Sequence, residues 1–209
     1  VLMTEHAEDK EILFHTGTYE LFPKFADDVC VELDLGCGVG SFTCLLAEKF
    51  PERQIIAADV MVGRLRKVVK RIHRAKLQNL TVVRTEARHF VGVMLADRSL
   101  DRLHILCPDP WPKNRHSGNR LVSSDFAAQI FRVLKPGGIF HFSSDDAPYF
   151  DAVATLIAGS GLFAEAPEGI ADCCDLKSDF ELRWLAEGKS VRHLSVRKVE
   201  PNWRNYRGH

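Results

Sequence analysis

Short apolar runs alternate along this chain with stretches whose apolar residues fall three and four apart, a pattern that predicts strands joined by helices. The first strand is expected over 29–35, nearly all apolar, as suits a strand covered on both faces. Phe42, Leu45, Leu46 and Phe50 then recur at helical spacing until Pro51 ends the helix. A second strand is expected over 54–58, followed by a helix whose apolar stripe is Val62, Leu65, Val69 and Ile72. Further strands are expected over 80–84, 100–106 and 139–143, and the best late strand over 191–197. Helices are expected over 124–134, capped by Ser123 or Ser124, and over 148–159, with a turn at Lys135-Pro136-Gly137-Gly138. Strands joined by helical crossovers make a doubly wound, mostly parallel α/β sheet. No repeat, low-complexity tract or linker divides the chain, so 1–209 is expected to be one domain, with an N-terminal arm over 1–28 and a basic tail over 198–209.

The 209 residues balance 28 Lys and Arg against 28 Asp and Glu, which argues against an indiscriminate nucleic-acid binder. The charge is nevertheless segregated. Eight Lys and Arg and no acid fall between Val60 and Thr85, and the end from Lys189 onward is basic again. Arg64, Lys67, Lys70, Arg71 and Arg74 lie off the apolar stripe of the second helix, where they form either an RNA footprint or a solvated face. The tail Pro201-Asn202-Trp203-Arg204-Asn205-Tyr206-Arg207 mixes aromatic and cationic side chains in the manner of single-strand binders, though a frayed terminus has the same composition. The six cysteines lack metal-like spacing, no apolar run is long enough to cross a membrane, and no signal segment opens the chain. A reduced, cytoplasmic protein is expected, binding neither membrane nor metal. The chain opens on Val1-Leu2-Met3, and part of a natural N-terminal arm is expected to precede it. The histidines at 6, 15, 73, 89, 104, 141 and 193 show no ligand spacing and read as ordinary surface or core residues.

Chemistry gathers in two places. The first is Asp34-Leu35-Gly36-Cys37-Gly38-Val39-Gly40, at the end of the first strand, where Gly36, Gly38 and Gly40 permit a tight turn and close approach of backbone to a ligand. A dinucleotide fingerprint places its third glycine one residue later, at Ser41. Asp34 would repel a pyrophosphate but attract a ligand carrying an ammonium and a sulfonium, which points to S-adenosylmethionine. Asp59, closing the second strand, stands where an acid accepts hydrogen bonds from ribose hydroxyls. A ligand-free turn and a nicotinamide site are the alternatives. The second place is Pro108-Asp109-Pro110-Trp111-Pro112-Lys113-Asn114-Arg115-His116, a proline-stiffened loop that offers a carboxylate and an indole to a planar base and cations to phosphates. A proline-rich crossover with Trp111 plugging the core is the bland alternative.

The glycine loop with its acids resembles that of the class I S-adenosylmethionine-dependent methyltransferases. The loop after the fourth strand resembles the signature of the bacterial tRNA (guanine-N7)-methyltransferases, a likeness that runs from Val31 to about Arg197. Phe140-His141-Phe142-Ser143-Ser144-Asp145 resembles that family's strand-five motif, and Ser178-Asp179-Phe180-Glu181 its T-x-[YF]-E motif. The resemblance implies a Rossmann-like, seven-stranded sheet with a reversed final hairpin, and methyl transfer from S-adenosylmethionine to a variable-loop guanine of tRNA. It also implies site roles. Glu86 would hold the adenine amino group and Asp109 would border the cofactor; Asp109, Asp145 and Glu181 would be the catalytic acids; Trp111, Lys113, Arg115, His116, Asp145, Ser178 and Glu181 would meet the substrate. The protein would act as a monomer or homodimer. Asp34 and Ser178 replace the family's usual Glu and Thr, and Ser117-Gly118-Asn119 interrupt its basic run. A methyltransferase acting on another RNA or a small molecule, or a non-catalytic RNA-binding protein, are the competing functions.

Overall fold

The structure, a computed structural model, describes residues 7–14, 21–111 and 120–199. Lys113, Arg115 and His116, and the tail from Pro201 to Arg207, lie outside the described residues.

Eight strands form one sheet: β1 (Ile12–Phe14), β2 (Val31–Leu35), β3 (Gln54–Asp59), β4 (Leu80–Arg84), β5 (Leu100–Leu106), β6 (Leu134–Ser144), β7 (Phe163–Glu165) and β8 (Arg192–Lys198). Their spatial order is β1-β4-β3-β2-β5-β6-β8-β7, parallel except where β8 runs against both β6 and β7. The expected strands are present with ends shifted by a few residues, and the reversed hairpin is there. The sheet has one strand more than expected because Ile12–Phe14 of the arm pairs with the otherwise open edge of β4. Three residues are too few to show a period, so neither β1 nor β7 is visible in the apolar pattern.

Helices α1 (Ser41–Lys49), α2 (Val62–Ala75), α3 (Ala87–His89), α4 (Ser124–Val133), α5 (Ala147–Gly159) and α6 (Asp179–Ala186) complete the fold, α3 running on into a π-helical turn at Phe90–Met94. The Lys135–Gly138 segment, expected as a turn, is instead part of β6. There the pairing jumps from Leu100↔Leu134 to Arg102↔Ile139, so the surplus residues bulge out and Gly137 takes a φ of 74°. Helix α6 was not expected, although Ser178-x-x-Glu181 is a helix-start signature and the Ser178 hydroxyl accepts the Glu181 N–H at 3.2 Å.

Alternation along the strands divides the core. Leu33, Leu103, Phe140 and Phe142 pack with α4 and α5 into one large apolar cluster. Their strand neighbours Glu32, Asp34, His104 and His141 are also buried, but face the side that carries α1. The sheet reverses direction of growth between β2 and β5, and ligands of such sheets bind at the carboxyl ends of those strands.

Candidate active site

At that switch point β2 runs into the glycine loop. Gly36, Gly38 and Gly40 have φ of 82°, 59° and 77°, a region costly for any side-chain-bearing residue. At Gly40 the close approach of α1 to α2 adds a second reason, since a Cβ there would lie 2.8 Å from Val68 Cγ2. The loop is tied to β3: the Gly36 and Cys37 N–H groups donate to the Ala58 carbonyl at 2.8 and 3.0 Å, and the Gly38 N–H donates to Asp59 Oδ2 at 3.1 Å. Asp59 Oδ1 accepts the Met61 N–H at 2.8 Å, so this carboxylate both braces the loop and faces the cleft. Asp34 is buried and accepts a hydrogen bond from the Thr43 hydroxyl. Burial pushes its carboxyl up to about 6, against the pull of Thr43 and His104.

The cleft has two lobes of about 240 and 440 Å³, sharing Gly36, Arg64, Leu106 and Phe180. The smaller is walled by Asp34, the glycine loop and Ser178; the larger by Asp59, Glu86, Asp109, Trp111 and Asp145. This division fits S-adenosylmethionine: a buried acid beside the glycine loop for the cationic amino-acid end, and two acids at the ends of β3 and β4 for the nucleoside. Glu86 is exposed and its carboxylate accepts the Arg88 and His89 N–H groups at 3.0 and 2.8 Å, which starts α3 and fixes the acid at the rim.

The loop after β5 carries Asp109 and Trp111 over the larger lobe. Two non-glycine residues here, Cys107 and Trp111, have φ of 48° and 44°, strain of the kind that gathers at functional sites. Trp111 is 39% exposed, so it borders the cleft and does not plug the core. Asp145, at the end of β6, reaches the same lobe.

Glu181 is placed differently. Its carboxylate is buried, 2.7 Å from Lys177 Nζ and 3.1 Å from His193 Nε2, and, added to burial, it and Asp145 help push up the Cys107 thiol of the larger lobe. Burial pushes its carboxyl up, but His193 and Lys177 outweigh this and hold it below the ordinary range. The structure thus brings Asp109 and Asp145 to the larger lobe, while Glu181 on α6 is held by Lys177 and His193. Ser178 lines the glycine lobe while capping α6. Apolar positions of α6 complete the site: Phe180 borders both lobes and Trp184 the larger one. Sequence reasoning missed these two with the helix itself.

Part of the basic surface of α2 is partnered. Arg66 bonds Asp9 at 2.8 Å, Lys70 lies 3.4 Å from Glu8, and His73 lies 2.7 Å from Glu11, all acids of the N-terminal turn, while Arg71 lies 3.6 Å from Asp179. Arg64 lies 3.6 Å from Asp59 and reaches the cleft. Among the described residues, no cluster of three or more His, Cys, Asp or Glu is arranged to hold a metal ion.

Comparison with known proteins bears on this site. A sequence model of a family described as putative methyltransferases matches residues 28–194. The chain is 39% identical over 169 residues to the tRNA (guanine-N(7)-)-methyltransferase of Syntrophotalea carbinolica, covering 79% of this chain and 73% of that protein. It is 37% identical over 173 residues to the protein of the same name from Geobacter metallireducens, covering 80% and 81%. Among solved structures, the 16S rRNA methyltransferase KamB superposes with a TM-score of 0.60 at 20% identity, over 82% of this chain and 88% of that one, a likeness of fold.

Proposed function

The chain belongs to the tRNA (guanine-N7)-methyltransferase family, and from that premise we propose how its cleft performs the reaction. The activity is methyl transfer from S-adenosylmethionine to N7 of a guanine in tRNA. The finer assignments are our reading. Asp34, Gly36, Gly38 and Gly40 hold the amino-acid end of the cofactor, Asp59 its ribose and Glu86 its adenine amino group, with Asp109 closing the border between cofactor and substrate. Bound in this way, S-adenosylmethionine supplies an electrophilic methyl group on a sulfonium.

The protein's remaining work is alignment and charge. Guanine N7 is an in-plane lone pair with no proton, so no general base is required. The cleft has to hold the ring so that the nitrogen, the methyl carbon and the sulfur lie nearly in line. Trp111 supplies a flat wall, and the carboxylates of Asp109 and Asp145 accept hydrogen bonds from guanine N–H groups. The same carboxylates stabilise the positive charge that develops on the purine. Lys113, Arg115 and His116 follow Trp111 in the chain and are assigned to phosphates. Glu181, whose carboxylate is held by Lys177 and His193, acts on the site by fixing α6. We place the protein in the cytoplasm as a monomer or homodimer acting on the variable loop; its six free thiols support a reducing compartment.

One observation carries this reading: two acids from separate strand ends, Asp109 and Asp145, border the same lobe as Asp59 and Glu86. The test is incubation with labelled S-adenosylmethionine and unmodified tRNA, followed by chemical cleavage at N7-methylguanosine. Cleavage within the variable loop is the expected result, and label in the tRNA without such cleavage overturns the assignment of the target atom. Asp59→Ala is expected to weaken cofactor binding before it slows transfer at saturating cofactor.

A further inference from the structure

A line of side chains crosses the sheet from one buried carboxylate, on β2, to another, on α6. Glu32 Oε2 lies 3.0 Å from His104 Nε2, and His104 Nδ1 lies 2.9 Å from His141 Nδ1. His141 Nε2 lies 3.0 Å from His193 Nδ1, and His193 Nε2 lies 3.1 Å from Glu181 Oε1. Strand register sets the spacing, since His104 sits opposite His141 across β5 and β6, and His193 opposite Ser143 across β6 and β8. His104 is fully buried, whereas the side chain of His193 keeps 26% of its surface exposed, so the line is sealed at one end and open to solvent at the other.

A count of protons makes this more than packing. Glu32 is buried, which pushes its carboxyl up, but His104, Arg102 and Arg53 outweigh that and hold it below the ordinary range. Glu181 is held low in the same way by His193 and Lys177. Both ends are therefore ionised and can only accept. Four contacts between them need four protons, and three neutral imidazoles carry three. Burial and the two neighbouring rings hold the pKa of His141 well below the ordinary imidazole value, which leaves His104 and His193, each beside a carboxylate, as the rings with a place for a fourth proton. Either placement completes all four hydrogen bonds, with the single N–H of His141 turned one way or the other.

The surrounding charges favour that proton. Glu32 and Asp172 meet Arg53 and Arg102, Glu181 meets Lys177, and Asp34 sits opposite His104 in the register of β2 and β5. Four carboxylates thus face three permanent cations. The Cys107 and Cys173 thiols nearby add no charge, because burial pushes them up to about 11 and about 12. The Phe42 ring packs edge-to-face with His104, centroids 4.9 Å apart.

We propose that His104, His141 and His193 form a relay holding one proton more than three neutral rings carry, and that this proton fastens Glu181, and with it α6, over the cofactor cleft. These histidines are positioning residues. They touch neither substrate nor cofactor but secure the helix whose Phe180 and Trp184 wall the cleft. When the line loses its extra proton, two lone pairs face each other at one of the four contacts, and the hold on Glu181 weakens.

The proposal rests on the reading that the cleft takes the cofactor, and its first test is independent of that reading. Nitrogen-15 NMR of histidine-labelled protein without ligand reads the ring protons directly. One proton lost in a step shared by the three rings is the expected result; three rings that stay neutral from about pH 5 to 8, or that titrate independently, overturn the relay. The second test is calorimetric affinity for S-adenosylhomocysteine across pH. A bell is expected, with an acid limb from Asp34 and an alkaline limb from the relay. His141→Leu cuts the line in the middle and is expected to remove the alkaline limb while leaving the acid one. His193→Gln can still donate to Glu181 but cannot ionise; it is expected to flatten the same limb, and it decides the matter if His141→Leu does not fold. An alkaline limb that survives substitution, or an equal loss of affinity at every pH, overturns the proposal. If the wild type binds no S-adenosylhomocysteine at any pH, the cofactor reading fails and the NMR proton count alone decides the relay.

Discussion

The two faces of the central sheet are built from alternate residues of the same strands and do opposite work. On one face Leu33, Leu103, Phe140 and Phe142 meet α4 and α5 in a continuous apolar cluster. On the other, their immediate neighbours Glu32, Asp34, His104 and His141 are as deeply buried, yet each is polar and bonded. Burial by itself therefore does not distinguish them. The apolar face gains from every area removed from water. The polar face is tolerable only because its groups satisfy one another, and it is arranged where the glycine loop and α6 meet the strand ends. Stability and chemistry are separated by one step along each strand.

The strongest way to break this separation is to damage the apolar face and look for a chemical effect. Phe140 is fully buried and packs against Phe142 and Phe163. Phe140→Ala is expected to cost about 3–5 kcal/mol, read as a fall in Tm of roughly 6–20 °C. Below the transition, the pH dependence of cofactor affinity is expected to be unchanged. A shifted profile would show that the faces are coupled.

Asp34→Asn addresses the opposite face. Because burial raises the Asp34 carboxyl to about 6, the folded protein binds this proton more tightly than the unfolded chain does. The ionised form therefore costs stability, a cost that appears as pH rises from the unfolded value through about 6 and is absent in acid. The variant without ligand is expected to be at least as stable as wild type at neutral pH, while cofactor affinity falls by about tenfold or more, roughly 1.4 kcal/mol. For the wild type, stabilisation by cofactor is expected to grow as pH rises through about 6, and for the variant this acid limb is absent. Thermal shifts with and without cofactor check both. A variant that keeps wild-type affinity removes Asp34 from the binding site.

The contrast between the faces also explains what could be read in advance. Strands β2 to β5 and the glycine loop carry their signals locally: apolar runs, three glycines at alternate positions, an acid two residues before the first glycine and another closing the next strand. Asp109 and Asp145 were legible for the same reason, each standing in a short motif. The relay was not, because its members are 72, 37, 52 and 12 residues apart in sequence and are joined only by strand register. Taken singly, His104, His141 and His193 look like ordinary histidines, and in isolation each would be. For Glu181 the motif gave the residue but not its partners, Lys177 and His193, since a motif states which residues accompany one another and not which way a side chain turns. On the basic face of α2, Lys70 meets Glu8 of the arm, and the neighbouring Arg66 and His73 meet Asp9 and Glu11, pairings across more than fifty residues that no local pattern shows.

Asp109→Asn sharpens the comparison by acting on neither face. Asp109 stands on the proline-stiffened loop beyond β5, exposed, at the border of the larger lobe. Neutralising it removes no core contact and leaves Asp34 and Asp59 in place, so stability and cofactor affinity are expected to stay close to wild type. What it removes is a carboxylate facing the purine as positive charge moves onto that ring. Methyl transfer is expected to fall by at least about tenfold, roughly 1.4 kcal/mol, in single-turnover rates at saturating cofactor and tRNA. The amide keeps the shape and one acceptor oxygen, so a loss of this size is electrostatic in origin and should persist when tRNA concentration is raised. A rate equal to wild type would take Asp109 out of the transfer step and leave Asp145 as the acid that meets the guanine.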